Sequence, residues 1–189
     1  MTDPPFRLAP LGAEHDRQSF CCGEEALDRY FKTQATQDIR RRIANCFVAV
    51  EVGDAVEVGD AVGVENSQVA AYYTIAAASI PLIDLPPEET KRLPRYPTLP
   101  AVRIGRLAVD RKFQGRGLGG ALLIDATRRS LQSPPAVYAL LVDATNDQAV
   151  AFYRRFGFLT FASQPRTLFL PLATVEKAVF GKAAVQESA

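Results

Sequence analysis

Residues that could do chemistry are densest between Asp110 and Ser130, in "DRKFQGRGLGGALLIDATRRS". Gly115, Gly117, Gly119 and Gly120 fall within six residues, with Arg111, Lys112, Gln114 and Arg116 among or just before them, and an apolar run from Leu118 follows. Glycine lets a backbone come close to a ligand, and a helix N-terminus offers N–H donors with no helical acceptor together with the positive end of its dipole. Cations beside such a turn point to an anion, and a pyrophosphate suits the site. Two other phosphate loops are excluded, one by spacing and one by context. A P-loop places Lys and then Ser or Thr after its last glycine, whereas Gly120 and Ala121 follow Gly119 here. A dinucleotide fingerprint needs G-x-G-x-x-G within an opening βαβ unit; Gly115, Gly117 and Gly120 meet the spacing, but no opening βαβ unit precedes them. A ligand-free turn from strand to helix is the bland reading, and the clustered cations weigh against it.

Other chemistry is sparse. The lone histidine, His15, reads as a surface residue. Cys21 and Cys22 are adjacent and Cys46 is distant, which fits no zinc spacing, so the thiols read as buried or idle and no metal is expected. No Gly-x-Ser-x-Gly turn marks a serine hydrolase. Ala149, Phe152, Tyr153 and Phe156 form an apolar stripe at helical spacing, in which a tyrosine is ordinarily packing.

The elements that must position the loop can be followed along the chain. Phe6–Leu11 reads as a strand. Residues 24–42 carry a helical stripe through Leu27, Tyr30, Phe31, Ala35 and Ile39, forming one helix or two short ones. "NCFVAVEV" and "QVAAYYTIAAASI" read as strands, and the proline-rich stretch from Pro81 to Pro100 as loop with at most a short helix. "AVRIGRLAV" is a strand that runs into the glycine loop, and a helix then spans about Gly117 to Gln132. "AVYALLVDA" is another strand. "NDQAVAFYRRFGF" is a helix with Asn146 as N-cap and Gly157 as its stop. Two short strands and a helix near Thr174–Phe180 follow. The pattern is α/β or α+β, with early antiparallel strands and a later crossover helix in a mixed sheet. The hexapeptide "EVGDAV" at Glu51–Val56 repeats at Glu57–Val62. Its even length preserves side-chain parity along a strand, and Gly-Asp pairs suit turns, so it reads as a lengthened hairpin.

A chain of 189 residues with 48% hydrophobic and 23% charged content fits one soluble domain, residues 1–189. Thr2–Pro5 interrupts any leader-like run, and Val69–Ile83 is too short and too polar to span a bilayer, so a cytoplasmic location is expected and no membrane contact. The net charge of +1 hides a segregation. Residues 43–90 hold eight acids and no Lys or Arg, whereas residues 91–130 hold ten basic residues against Asp110 and Asp125. The charges either make one positive face or disperse over the surface; both readings stand at this point.

"LAVDRKFQGRGLGGALL" resembles the acetyl-CoA loop of the Gcn5-related N-acetyltransferases, whose pattern is Gln or Arg, two residues, Gly, one residue, then Gly or Ala; Gln114, Gly117 and Gly119 match it. The order of elements agrees with that fold, a mixed central sheet flanked by helices. "FCCGEEALDRYFKTQATQD", "AYYTIAAASI", "IGRLAVD" and "AFYRRFGF" together resemble the toxin branch that acetylates charged tRNA and is held by a ribbon-helix-helix antitoxin. The duplicated hexapeptide departs from the usual short hairpin of that branch.

The resemblance implies acetyl-CoA as cosubstrate and an amine acceptor, with no metal. It places pantetheine and carbonyl contacts on the backbone of Leu107, Ala108 and Val109. It places pyrophosphate contacts at Lys112, Gln114, Gly115, Arg116, Gly117, Leu118 and Gly119. It gives Tyr153 the part of general acid toward the departing thiolate, and leaves Asn146 to cap its helix, contact the cofactor, or both. No general base can be read, so water is left to take the amine's proton. For the tRNA backbone the candidates are Arg40, Arg41, Arg42, Lys91, Arg92 and Arg95, each of which also reads as solvated surface. A ribbon-helix-helix antitoxin and a homodimer are implied partners. An ordinary small-molecule or peptide N-acetyltransferase and a non-catalytic acyl-CoA-binding regulatory module are the alternatives.

Overall fold

The computed structural model describes residues 6–51, 56–58, 61–63, 68–161 and 163–180. Its main sheet has seven strands, in the order β1 (Phe6–Pro10), β2 (Asn45–Glu51), β5 (Val69–Pro81), β6 (Thr98–Val109), β7 (Ala139–Asp143), β9 (Thr167–Pro171) and β8 (Leu159–Thr160). The described chain forms two compact units. One holds the residues up to Ile75 together with Arg106–Asp125, the other Ala76–Gly105 together with the residues from Ala126 on.

In the first unit, β1 (Phe6–Pro10) pairs antiparallel with β2 (Asn45–Glu51), and β2 with the start of β5 (Val69–Pro81). Cys46–Val50 and Val69–Thr74 are buried without alternation, the pattern of strands covered on both faces. The expected helical stretch is two helices, α1 (Glu25–Thr33) and α2 (Ala35–Arg40), with Gln34 between them. They bury Tyr30, Phe31 and Ala35 in a core with Phe20, Val48, Tyr72 and Ala108. The Phe31 and Tyr72 rings stack with centroids 4.2 Å apart, and Phe20 meets Phe31 edge-on at 5.0 Å. Such pairs are worth about 1 kcal/mol each beyond the area they bury. The Tyr72 hydroxyl donates to the Leu27 carbonyl at 2.8 Å, so the fully buried phenol is satisfied.

His15 is corrected by this unit. Its ring is only 4% exposed, because a turn at Gly12 folds it inward; Nδ1 accepts the Gly12 N–H at 2.9 Å. Nε2 is buried with no hydrogen-bond partner among the described residues.

The second unit holds β6 (Thr98–Val109) as far as Gly105, and there it pairs parallel with β7 (Ala139–Asp143), the arrangement a crossover requires; α4 (Leu118–Leu131) is the helix between the two in sequence. The register runs from Ala101↔Ala139 to Ile104↔Val142, while β6 continues to Val109. β9 (Thr167–Pro171) pairs antiparallel with β7 and with the short β8 (Leu159–Thr160). The core here gathers Ile80, Leu99, Leu141, Phe161 and Phe169. The proline-rich stretch makes a 3-10 turn, Leu82–Asp84, and a four-residue helix, α3 (Pro87–Thr90), opened by proline. α5 spans Asp147–Arg155 and α6 spans Leu172–Phe180. Strand β7 begins at Ala139, three residues later than the apolar run, since the chain follows Pro134 and Pro135 there.

Of the duplicated hexapeptide, β3 (Val56–Val58) and β4 (Ala61–Gly63) pair antiparallel as a ladder of their own, and residues 52–55, 59 and 60 lie outside the described residues. Among the described residues no helix is long and apolar enough to cross a membrane.

Candidate active site

The end of β6 and the loop after it are fixed from below by residues far away in sequence. The Asp110 N–H donates to the Ala70 carbonyl at 2.8 Å, which anchors the strand end. The Asp110 carboxylate is 2% exposed and accepts two backbone N–H groups, from Cys21 at 2.8 Å and Lys112 at 2.9 Å. The second of these caps the 3-10 turn Arg111–Phe113. In return the Arg111 N–H donates to the Cys21 carbonyl at 2.9 Å. Gln114 Nε2 donates to the carbonyls of Val109 and Cys22, both at 3.0 Å. A Cβ on Gly23 would meet the Arg111 guanidinium at 2.7 Å, so glycine admits that side chain. Cys21–Gly23 is thus a clamp beneath the loop. The Asp28 carboxylate holds the clamp in turn, accepting the Cys22 N–H at 2.8 Å. Burial works against its charge, but the hydrogen bonds it receives from Cys21, Cys22 and Gly23 together outweigh that and hold the carboxyl below its ordinary range.

The loop above the clamp has open space. Gly115 and Gly117 hold φ of +78° and +79°, a region that side chains strain to reach, and a Cβ on either would meet nothing within 4 Å. Backbone conformation, not crowding, therefore demands glycine at both. In α4 the Ala121 N–H reaches the Gly117 carbonyl at 3.2 Å, and the N–H groups of Leu118, Gly119 and Gly120 precede that first helical bond. Arg111, Lys112 and Arg116 are exposed, the last lying 5.3 Å from the Phe113 ring centroid. Donors without helical acceptors, a dipole end and the cations Lys112 and Arg116 beside an open turn fit a pyrophosphate. Leu107, Ala108 and Val109 lie immediately before the loop on β6, with Ala108 buried in the core.

Beside the clamp lies an open groove of about 520 Å³, lined in part by Cys21, Glu25, Asp28, Arg29, Lys32 and Arg111. Cys21 is exposed, whereas Cys22 and Cys46 are buried. Burial pushes both buried thiols up to about 12, so they stay protonated and inert.

In the second unit, α5 presents Tyr153. Asn146 caps this helix as its type foretold, Oδ1 accepting the Ala149 N–H at 2.8 Å. The Tyr153 ring packs on Phe158 at 5.5 Å and meets Phe152 edge-on at 5.2 Å, so the packing role is real. Its hydroxyl, however, makes no hydrogen bond among the described residues. Burial first, and the negative charge of Asp143 second, push the phenol up to about 12. Tyr153 is therefore held protonated. Asp143 itself pairs with Arg103 and accepts from the Thr167 hydroxyl at 2.8 Å.

The cations named for a larger acceptor are all exposed: Arg40, Arg41 and Arg42 at the end of α2, and Lys91, Arg92 and Arg95 after α3. None makes an ion pair among the described residues. Arg42 has φ of +57°. Its N–H reaches the Ile39 carbonyl, and the N–H of Ile43 reaches Asp38, the helix-ending pattern in which glycine is usual. The other residues of the charge-rich segment have separate partners: Arg103 pairs with Asp143, and Arg106 lies on Tyr30. Sequence reading missed the clamp, Asp110 and Arg106. The only local signal was an aspartate directly after an apolar strand. Among the described residues no group of His, Cys, Asp and Glu could hold a metal ion.

A family model described as an acetyltransferase (GNAT) domain matches residues 94–177. The tRNA-acetylating toxin of Mycobacterium tuberculosis is 34% identical over 157 residues, 82% of this chain and 85% of that protein. The solved structure of AtaT complexed with acetyl-methionyl-tRNAfMet superposes with a TM-score of 0.78 at 29% identity, covering 90% of this chain and 97% of that one. A mutant AtaT toxin bound to the C-terminus of the antitoxin AtaR and to acetyl-CoA superposes with a TM-score of 0.71 at 26% identity, covering 92% and 97%. The chain belongs to the GNAT acetyltransferases, in the family of the tRNA-acetylating toxins. It is an N-acetyltransferase that uses acetyl-CoA, built on the α/β fold of that family.

Proposed function

We propose that this chain acetylates the amino group of an aminoacyl-tRNA and so blocks translation, acting as the toxin of a toxin–antitoxin pair. The observation that carries the reading is the extent of the likeness to a tRNA-acetylating toxin. It spans 82% of the chain and so reaches well beyond the acetyltransferase match at residues 94–177. The exposed cations Arg40, Arg41, Arg42, Lys91, Arg92 and Arg95, without ion pairs among the described residues, support an acceptor with a phosphate backbone.

On this reading residues 1–189 act as one N-acetyltransferase domain. The backbone N–H groups from Gly115 to Gly119, with Lys112 and Arg116, hold the pyrophosphate. Gln114 works chiefly by fixing the loop, since its amide donors are spent on Val109 and Cys22. The backbone of Leu107, Ala108 and Val109 holds the pantetheine arm and the thioester carbonyl. Acetyl-CoA supplies the activated acetyl group. The neutral amine forms the C–N bond, the C–S bond breaks, and Tyr153 gives its proton to the departing thiolate. The proton lost by the amine passes to water, from which Tyr153 is reprotonated. Asn146 adds its remaining amide group to the cofactor while capping α5. We further read the chain as a cytoplasmic homodimer restrained by a ribbon-helix-helix antitoxin; AtaT bound to the C-terminus of its antitoxin AtaR supports the antitoxin part.

Mass analysis of total charged tRNA after incubation with the enzyme and acetyl-CoA tests the proposal. An added acetyl group on the aminoacyl amine is expected, and none on uncharged tRNA. An active enzyme that modifies small amines or peptide N-termini but no charged tRNA would place it with ordinary acetyltransferases.

A further inference from the structure

Arg106 lies on β6, one residue before the segment assigned to the thioester arm. Its guanidinium carbon is 3.4 Å from the Tyr30 ring centroid, a close cation–π stack. The side chain is partly buried, and Ala108, two residues on and therefore on the same face of the strand, is packed in the cluster that holds Tyr30. Tyr30 is itself fixed, its hydroxyl donating to Asp38 at 2.9 Å. Yet the guanidinium makes no hydrogen bond and no ion pair among the described residues. Its flat face is taken, and its in-plane N–H donors are not.

A partly desolvated, permanently charged fork without an acceptor is an arrangement for recognising a planar or tetrahedral oxyanion. Stacking on a fixed ring sets the plane of the fork in advance, which lowers the entropy lost on binding. We infer that Arg106, stacked on Tyr30, is a substrate-positioning residue that grips a phosphodiester of the acceptor strand close to the aminoacyl end. This rests on the aminoacyl-tRNA reading above. An aminoacyl ester has no free carboxylate, so the oxyanion near the reacting amine is a phosphate. Extended backbone sets Arg106 about 7 Å along the strand from Ala108, the middle of the thioester segment. The cofactor's own pyrophosphate is assigned to the glycine loop, so Arg106 serves the acceptor.

Arg106→Ala and Arg106→Lys are compared with the parent enzyme for acetylation of charged tRNA, for acetyl-CoA affinity, and for tRNA binding across salt concentrations. For Arg106→Ala the expected result is a KM for charged tRNA raised about tenfold or more and a log–log salt slope lowered by about one. Acetyl-CoA affinity should be unchanged. Arg106→Lys keeps the charge and loses the fork, so it should keep the slope and still raise KM; it carries the test if the alanine variant does not fold. An unchanged KM and slope with a lowered Tm would reduce Arg106 to a brace between α1 and β6 and overturn the inference. Loss of acetyl-CoA affinity would overturn it too, by assigning the phosphate to the cofactor. If the parent enzyme leaves charged tRNA unmodified, the underlying reading fails first, and that result is visible before any variant is made.

Discussion

Gln114 Nε2 lies 3.0 Å from the carbonyl oxygen of Cys22, a residue 92 positions away. The same amide donates to Val109 at 3.0 Å, so one side chain ties the end of β6, the loop and the segment before α1 together. The glutamine of the family's loop pattern is thus a brace for the glycine loop. Gln114→Glu replaces the donor with a carboxylate that faces two carbonyl oxygens. Acetyl-CoA affinity should fall about tenfold or more, with a lower melting temperature, since each lost hydrogen bond costs about 1 kcal/mol. Calorimetry and thermal melting read the two effects. An undiminished affinity would return Gln114 to the surface.

Tyr153→Phe keeps the ring contacts with Phe152 and Phe158 and removes only the unpartnered hydroxyl. Turnover should fall about a hundredfold or more while the melting temperature holds. A variant that melts early but keeps its rate per folded molecule would leave packing as the residue's whole role.

The pH profile checks the same assignment. A general acid acts in its protonated form, and the Tyr153 phenol stands at about 12 rather than its usual 10.0. Once the acceptor amine is neutral, turnover should therefore show no alkaline decline through pH 10, where an ordinary tyrosine would be half ionised. An alkaline decline centred near 10 that disappears in Tyr153→Phe would show that burial and Asp143 do not protect the proton.

The glycine loop was legible because its determinants are local: glycines with positive φ, cations and a following apolar helix sit within twenty residues. α5 was legible for the same reason, with Asn146 as cap and a stripe at helical spacing. The clamp was not, because Asp110 and Gln114 act on Cys21 and Cys22, and no local pattern encodes a partner that far off. His15 was misjudged because a lone polar residue beside Gly12 carries no sign that a turn will bury it. Arg106 looked like one more charge in a basic segment; its difference lies in Tyr30, which only the packing of α1 against β6 supplies.

The duplicated hexapeptide makes a separable prediction. β3 and β4 pair with each other and not within the seven-stranded sheet. Deleting Glu57–Val62 removes an even number of residues and so keeps the facing of what remains. Acetyl transfer to charged tRNA and the melting temperature should both be nearly unchanged. Lost transfer at a normal melting temperature would give the repeat a part in binding substrate or partner.

Arg42 separates stability from function most sharply. It closes α2 in a left-handed conformation, φ +57°, where an L side chain costs about 1 kcal/mol relative to glycine. Ile43, the next residue, is 56% exposed and lacks the apolar contact that usually favours such a helix end. Retaining arginine at a glycine position makes physical sense if the side chain does something in solvent, and an exposed cation beside Arg40 and Arg41 is suited to a phosphate backbone. Arg42→Gly should then move two properties in opposite directions. Unfolding free energy should rise by about 1 kcal/mol, seen as a higher denaturation midpoint, because the strain is gone. Binding of charged tRNA should weaken, with its salt slope lower by about one, because a phosphate contact is gone. Acetyl-CoA binding, which the proposal assigns to the loop at 114–119, should not change. A variant that gains stability and binds tRNA as before would show that Arg42 only decorates the helix end, and would move the search for the RNA path toward Lys91, Arg92 and Arg95.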